Sequence, residues 1–100
     1  MIDFSRIVGF DWDDGNRHKS LDRHAVSEAE AEQVFVDERL LIAEDARHSQ
    51  TEARYQALGT SSEGRRLYVT FTLRRDATAT RVISARDMNR KERAQYDQET

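Results

Sequence analysis

The sequence contains neither cysteine nor proline. Without cysteine there is no disulfide framework and no thiolate-rich zinc site, and the composition fits a reducing compartment. The opening residues, MIDFSRIVGF, hold no apolar run long enough for a signal peptide or a membrane span. A cytoplasmic protein with no membrane attachment is the expectation. No repeat, low-complexity tract or linker is visible, and 100 residues are one domain's worth of chain, so a single domain over residues 1–100 is expected. The histidines are His18, His24 and His48. None stands in a helical pair with metal-ligand spacing, so neither a metal nor another cofactor is expected. A nucleophilic triad, a phosphate-binding P-loop and a dinucleotide fingerprint are missing as well.

Charge is what the sequence has in quantity. Charged residues make up 35% and hydrophobic residues 37%, with a mean hydropathy of -0.88. Such values would suit a disordered chain, but the apolar residues cluster with clear periods, which argues for a folded domain under a heavily charged surface. The net charge of -3 is unevenly distributed. Residues 1–63 hold 7 Lys/Arg against 14 Asp/Glu, and residues 64–100 hold 9 against 5. This asymmetry points either to one face for an anionic partner and another for a basic one, or to two differently solvated faces.

The periodicities give an α+β fold. Val8 to Trp12 alternate weakly and predict a short strand, closed by Asp13-Asp14-Gly15. Residues 16–24 predict a short helix anchored by Leu21. Ser27 with Glu30 forms a capping box ahead of Ala31, Val34 and Phe35, which predicts a helix over residues 28–36. Strands follow over residues 39–44, 54–59, 67–73 and 80–84, the third being the richest in β-branched and aromatic residues. Asn89 with Glu92 is a second capping signature, opening a helix over residues 90–97. The expected architecture is a short N-terminal strand and two helices, an antiparallel meander of three to four strands, and a C-terminal helix.

Arginine is the remaining chemical signal. Arg54 opens a strand, Arg65 and Arg66 open the next, and Arg86 follows the last. In a meander these positions can converge on one side of the sheet. The planar guanidinium grips two phosphate oxygens at once and stabilises charge developing at a phosphorus centre. The alternative is a set of ordinary surface arginines. His24, near the end of the first helix, is placed to cap backbone carbonyls, and His48 stands in a polar loop.

The order of these signals resembles the BrnT family of bacterial toxins, small ribonucleases with a RelE-like fold. The matching pieces are Phe10-Asp11-Trp12-Asp13, Arg23-His24 before Val26, and Val34-Phe35-Val36-Asp37. They continue with Arg54 to Gly59, then Val82-Ile83-Ser84-Ala85-Arg86 with Arg90, Glu92, Arg93 and Tyr96. The resemblance implies a toxin that cleaves RNA and slows translation. It also implies an antitoxin of the BrnA type with a ribbon-helix-helix element, in a complex, expected as a heterotetramer, that reaches DNA only through the antitoxin and represses its own operon.

On that resemblance, Arg54 and Arg86 hold the RNA phosphate and His24 is the first choice of base or acid, with His48 second. Lys19, Arg23, Arg65, Arg66, Arg90 and Arg93 bind RNA. The attacking group would be the RNA 2′-hydroxyl, which DNA lacks. Arg86, read as lying just past a strand, should be removable at little cost in stability. Tyr96 and the final helix, with Arg90 and Arg93, are expected at or near the antitoxin surface. The chain departs from the family pattern at Asn16, where a lysine is common, at Ser20, where an asparagine is, and at Ala25, where a glycine follows the Lys-His pair. These departures leave the first helix's share in catalysis open. They also leave a second function in view, a catalytically weak module that binds nucleic acid or antitoxin and acts in operon autoregulation.

Overall fold

The computed structural model describes residues 6–45 and 52–99. Its elements are β1 (Gly9–Phe10), α1 (Lys19–His24), α2 (Glu28–Val34), β2 (Leu41–Glu44), β3 (Tyr55–Thr60), β4 (Arg66–Arg74), β5 (Ala79–Asp87) and α3 (Arg90–Glu99). The strands form one five-stranded sheet in the order β1-β5-β4-β3-β2. From β2 to β5 every pairing is antiparallel. The short first strand instead joins the outer edge of β5 in parallel, with Gly9 opposite Ala79 and Phe10 opposite Thr80. The expected α+β arrangement is present, with the sheet mixed rather than purely antiparallel.

β1 covers only the start of the β5 edge. Beyond Thr80, side chains complete the hydrogen bonding. Asn16 Nδ2 donates to the carbonyl of Val82 at 2.8 Å, and Ser20 Oγ accepts from the amide of Ala85 at 2.7 Å. Both side chains are buried, as groups making such bonds must be. The two departures Asn16 and Ser20 therefore fasten the start of α1 and the turn before it to the sheet. That turn, over residues 14–18, also explains why α1 begins at Lys19 rather than at residue 16.

Alternation along β4 sends Leu67, Val69 and Phe71 into one core and Tyr68 to the other face. The larger core adds Val26, Ala31 and Val34 from α2 and its approach, with Ala57, Val82 and Ala85 from the sheet. Gly59 lets α2 come this close, since a Cβ there would lie 2.8 Å from Val34 Cγ1 and 2.9 Å from the Val34 carbonyl. On the opposite face α3 packs through Tyr96, with Leu58 and Met88, over Leu41 and Tyr68. Tyr96 is 0% exposed, and its hydroxyl donates to Asp37 at 2.5 Å and meets Thr60 Oγ1 at 2.9 Å. Tyr96 is therefore not itself a surface contact: it is the residue that docks the final helix, because α3 has no other large apolar side chain to bury.

The last strand is longer than its sequence suggests. β4 extends from Arg66 to Arg74 and offers β5 a partner as far as Leu67 opposite Asp87. Arg86 consequently lies within β5, opposite Tyr68, and not beyond the strand end.

Candidate functional site

At the C-terminal end of β5, the ladder presents Arg86 beside Tyr68 on the face that carries α3. The Arg86 guanidinium lies over the Tyr68 ring, 4.0 Å from its centroid, a cation–π contact. Its two terminal nitrogens donate to the two carboxylate oxygens of Glu92 at 2.8 and 2.9 Å, and Nη1 also reaches the Asp87 carbonyl at 3.1 Å. Glu92 is at the same time the capping residue of α3. It accepts from the amide of Asn89 at 2.9 Å while its own amide donates to Asn89 Oδ1 at 2.8 Å. The reciprocal capping box read from the sequence is complete here. At Ser27 only half of it forms: Ser27 Oγ accepts from the Glu30 amide at 3.1 Å, and the Glu30 carboxylate turns instead to Arg65.

These groups set each other's ionisation. Burial pushes Glu92 up, but the hydrogen bonds from Arg86 and the Asn89 amide outweigh it and hold the carboxyl below its usual range. Burial raises Tyr68, assisted by the Glu92 charge, so its hydroxyl keeps its proton near neutral pH. The Glu92 hydrogen bond raises Arg86 further. The result is a permanently charged fork held on an aromatic plate by a carboxylate.

Tyr68 and Glu92 also line a cavity of about 500 Å³ between α3 and the sheet. Leu41, Leu58 and Gln56 contribute from the strands, and Asn89, Lys91, Gln95 and Glu99 from the helix. Neither Tyr68 nor Glu92 stood out as a site residue from sequence. Glu92 was visible as a cap and as one of the residues that match the family, and nothing local links it to Arg86.

The other site candidates are distributed around this centre. Arg54 precedes β3, and the alternation of that strand carries it onto the face of Gln56 and Leu58. It stands four residues before Leu58, which pairs with Tyr68, so it lies about 13 Å further along the strand direction than Arg86. His24 ends α1 and is exposed. Its charge acts on Asp87, the residue after Arg86, which points to the opposite side of the strand. His24 and Arg86 thus flank the end of β5 from its two sides.

Arg65 uses all five of its donors within the protein. Nε and Nη2 grip Asp87 at 2.7 and 3.0 Å, Nη1 reaches the Ala25 carbonyl and Glu30, and Nη2 also reaches the His24 carbonyl. That hydrogen bonding, with the charges of His24 and Arg93 adding to it, keeps Asp87 below the ordinary range. Arg65 therefore closes the C-terminal end of α1 against the sheet. Arg66 pairs with Asp97 at 3.0 Å and ties β4 to α3. Lys19 and Arg23 are exposed on α1, and Arg90 and Arg93 on the first turn of α3. His48 lies outside the described residues. Among the described residues, no group of three or more His, Asp or Glu side chains could hold a metal ion.

The charge asymmetry of the sequence is partly consumed by pairing between the halves. Arg65 meets Glu30, Arg74 meets Glu52, and Arg81 meets Asp11 and Asp13. Lys19, Arg23, Arg90, Lys91 and Arg93 remain as exposed cations on α1 and α3.

A family model for the ribonuclease toxin BrnT of type II toxin–antitoxin systems matches residues 12–92. The chain belongs to the BrnT family. No curated protein sequence matches it. As a BrnT member it is a ribonuclease toxin with an RNA target and an antitoxin partner, and the matched span includes Arg54, Arg86, Tyr68 and Glu92. The residue where the sequence has Ala25 for the family's glycine has φ 54° and ψ 37°, immediately after α1. That is the left-handed conformation in which glycine commonly ends a helix.

Proposed function

We propose that this BrnT protein cleaves RNA without a metal ion, by attack of a 2′-hydroxyl on the adjacent phosphate, and so slows translation. The attacking hydroxyl gives its proton to a base, the new bond from the 2′-oxygen to phosphorus forms, and the bond to the leaving 5′-oxygen breaks as that oxygen takes a proton from an acid. The products are a 2′,3′-cyclic phosphate and a 5′-hydroxyl. Arg86 holds the reacting phosphate and stabilises the charge that grows on it. Arg54 holds a neighbouring phosphate. His24, exposed at the end of α1 beside the end of β5, is the first candidate for base or acid, and His48 the second. Lys19, Arg23, Arg90 and Arg93 attract the RNA backbone, whereas Arg65 and Arg66 act through the fold. Glu92 is a positioning residue for Arg86.

The observation that carries this reading is the Arg86 fork, fixed on Tyr68 and Glu92 at the rim of a cavity. Guanidinium charge supplies at the phosphate the neutralisation that a cation would otherwise give. The fold is RelE-like in this reading, one domain acting in the cytoplasm. The antitoxin is a BrnA-like ribbon-helix-helix protein that brings DNA to the complex, with two copies of each chain.

The test is incubation of the purified protein with RNA in EDTA, followed by analysis of the product ends. Cleavage leaving 5′-hydroxyls is expected; 5′-phosphates, or activity abolished by EDTA, would overturn the mechanism. A second reading, a catalytically weak module acting in operon autoregulation, is favoured by one observation: a carboxylate already occupies the fork of Arg86. The same experiment separates the two, since that module would bind antitoxin and leave RNA intact.

A further inference from the structure

The cavity beside Arg86 differs in chemistry from the surface around it. Its sheet wall is largely apolar: Leu58 is buried, and Leu41 and Tyr68 are half-buried beside it. Side-chain amides border this apolar surface, Gln56 on β3 and Asn89 and Gln95 on the helix side. Two of these amides are already oriented. Asn89 uses its oxygen to cap α3, accepting from the Glu92 amide, so it offers an N–H donor. Gln56 donates from Nε2 to Asp45 at 3.2 Å, so it offers its carbonyl oxygen. A cavity of about 500 Å³ falls within the usual range for small-molecule sites.

An apolar floor with a donor and an acceptor on its rim suits a flat heteroaromatic ring that carries both kinds of group on its edge. An acyl chain would leave the amides without partners. A phosphate is disfavoured inside, because Glu92 and Glu99 contribute to the wall. Immediately outside, the Arg86 guanidinium lies on Tyr68 and against Glu92, two of the lining residues, and Lys91 stands on the helix side. The electrostatics therefore sort a nucleotide into its parts, with the anionic phosphate on the cations at the rim and the uncharged base within. Recognition of an unstacked base by apolar contact and edge hydrogen bonds is how proteins read single-stranded RNA.

We propose that the cavity between α3 and the β2-β3-β4 face is a nucleobase subsite, taking the base of the nucleotide whose phosphate Arg86 holds. The proposal rests on the reading of Arg86 as the phosphate ligand. It makes the protein selective for single-stranded RNA and gives it a base preference at the cleavage position, set by Gln56 and Asn89.

The experiment compares binding of inorganic phosphate with that of the four nucleoside 3′-monophosphates to the full chain, by NMR titration. At least one nucleotide should bind tighter than phosphate by about tenfold or more, the increment expected when a base gains an apolar or aromatic surface. Ala43→Trp should remove that advantage while leaving phosphate affinity unchanged, because Ala43 lines the cavity and its side chain is exposed. Gln56→Leu, a second variant, should change which base is preferred without filling the cavity. Equal affinity for phosphate and all four nucleotides overturns the subsite while leaving RNA cleavage at Arg86 intact. So does an advantage that survives Ala43→Trp in a variant whose melting shows it folded. If neither probe binds, or if Arg86→Gln binds both as the parent does, the phosphate reading of Arg86 falls and the subsite falls with it.

Discussion

Glu92 binds the two ends of the Arg86 fork at 2.8 and 2.9 Å and the amide that opens α3 at 2.9 Å. One carboxylate therefore fixes both the orientation of the guanidinium and the start of the helix that roofs the cavity. Disturbing either residue should be felt in stability as well as in activity.

Arg86→Ala is expected to lower stability by about 1–3 kcal/mol, because it leaves a charged acceptor without its main partner; the Glu92 side chain is only 15% exposed. The sequence expectation of a harmless truncation does not survive this geometry. RNA cleavage should fall by about a hundredfold or more with the lost charge. In Glu92→Gln, Arg86→Ala should then cost clearly less, with a coupling of about 1 kcal/mol. Urea denaturation of the four proteins in that cycle measures it, and strict additivity would mean that the two side chains do not act as a unit. Arg86→Lys keeps the charge and loses the fork, so a severe loss of cleavage in a stable Arg86→Lys protein would assign the fork to the reaction.

Stability should fall in acid. Burial pushes Asp37 up, yet the Tyr96 hydroxyl and the Thr60 amide more than offset it. Asp87 is lowered chiefly by Arg65, and Glu92 is lowered as described. Each of these carboxyls has a lower pKa folded than unfolded, so the unfolded chain binds more protons as the pH drops. Their contribution is complete above the ordinary carboxylate range of about 4–5 and is lost as pH falls through the folded values. The urea midpoint, measured from neutral pH downward, should be nearly flat at first and then decline below that range. Glu92→Gln should shallow the decline, and an unchanged slope would remove Glu92 from this linkage.

Ala25→Gly should stabilise the protein. Ala25 holds φ 54° at the end of α1, a conformation that costs a residue with a Cβ about 1 kcal/mol. Glycine relieves the strain but gives back part of the gain through the freer unfolded chain. A net gain of about 0.5 kcal/mol, or roughly 2–4 °C in Tm, is expected. The carbonyl that Arg65 contacts belongs to the backbone and is kept. A lower Tm would show that the left-handed residue is not the strained one.

Gly59→Ala should do the opposite. Its new methyl would meet Val34 Cγ1 at 2.8 Å and the Val34 carbonyl at 2.9 Å, and overpacking of this kind costs about 1–3 kcal/mol. Adding Val34→Ala should remove the side-chain clash but create a cavity of its own, so only partial recovery is expected. A Gly59→Ala protein as stable as the parent would mean that α2 shifts freely on β3.

The starts of α2 and α3 were legible in the sequence because a capping bond joins residues three apart, Ser27 to Glu30 and Asn89 to Glu92, and needs no distant partner; their ends, expected at residues 36 and 97, fall at Val34 and Glu99. β4 was legible because burial of one face imprints a period of two on Leu67 to Phe71, and β3 because a short apolar run ends at a cluster of turn residues. The arginines and the resemblance to BrnT toxins could likewise be read in one dimension.

Other features required the fold. The weak alternation of Val8 to Trp12 signalled a short strand, but its length of two residues and its parallel register with Ala79 and Thr80 were set by the fold. Arg86 entered β5 because β4 was long enough to pair with it. Glu92 became the partner of Arg86 because α3 turns back over the sheet, and Arg65 became half-buried because α1, α2 and Asp87 surround it. Tyr96 became core because its hydroxyl finds Asp37, 59 residues away in the chain. Local sequence determines hydrogen bonds and periods that close within one turn or one strand. The partner of a long charged or aromatic side chain is decided by which elements meet, and that depends on how the whole apolar surface is buried.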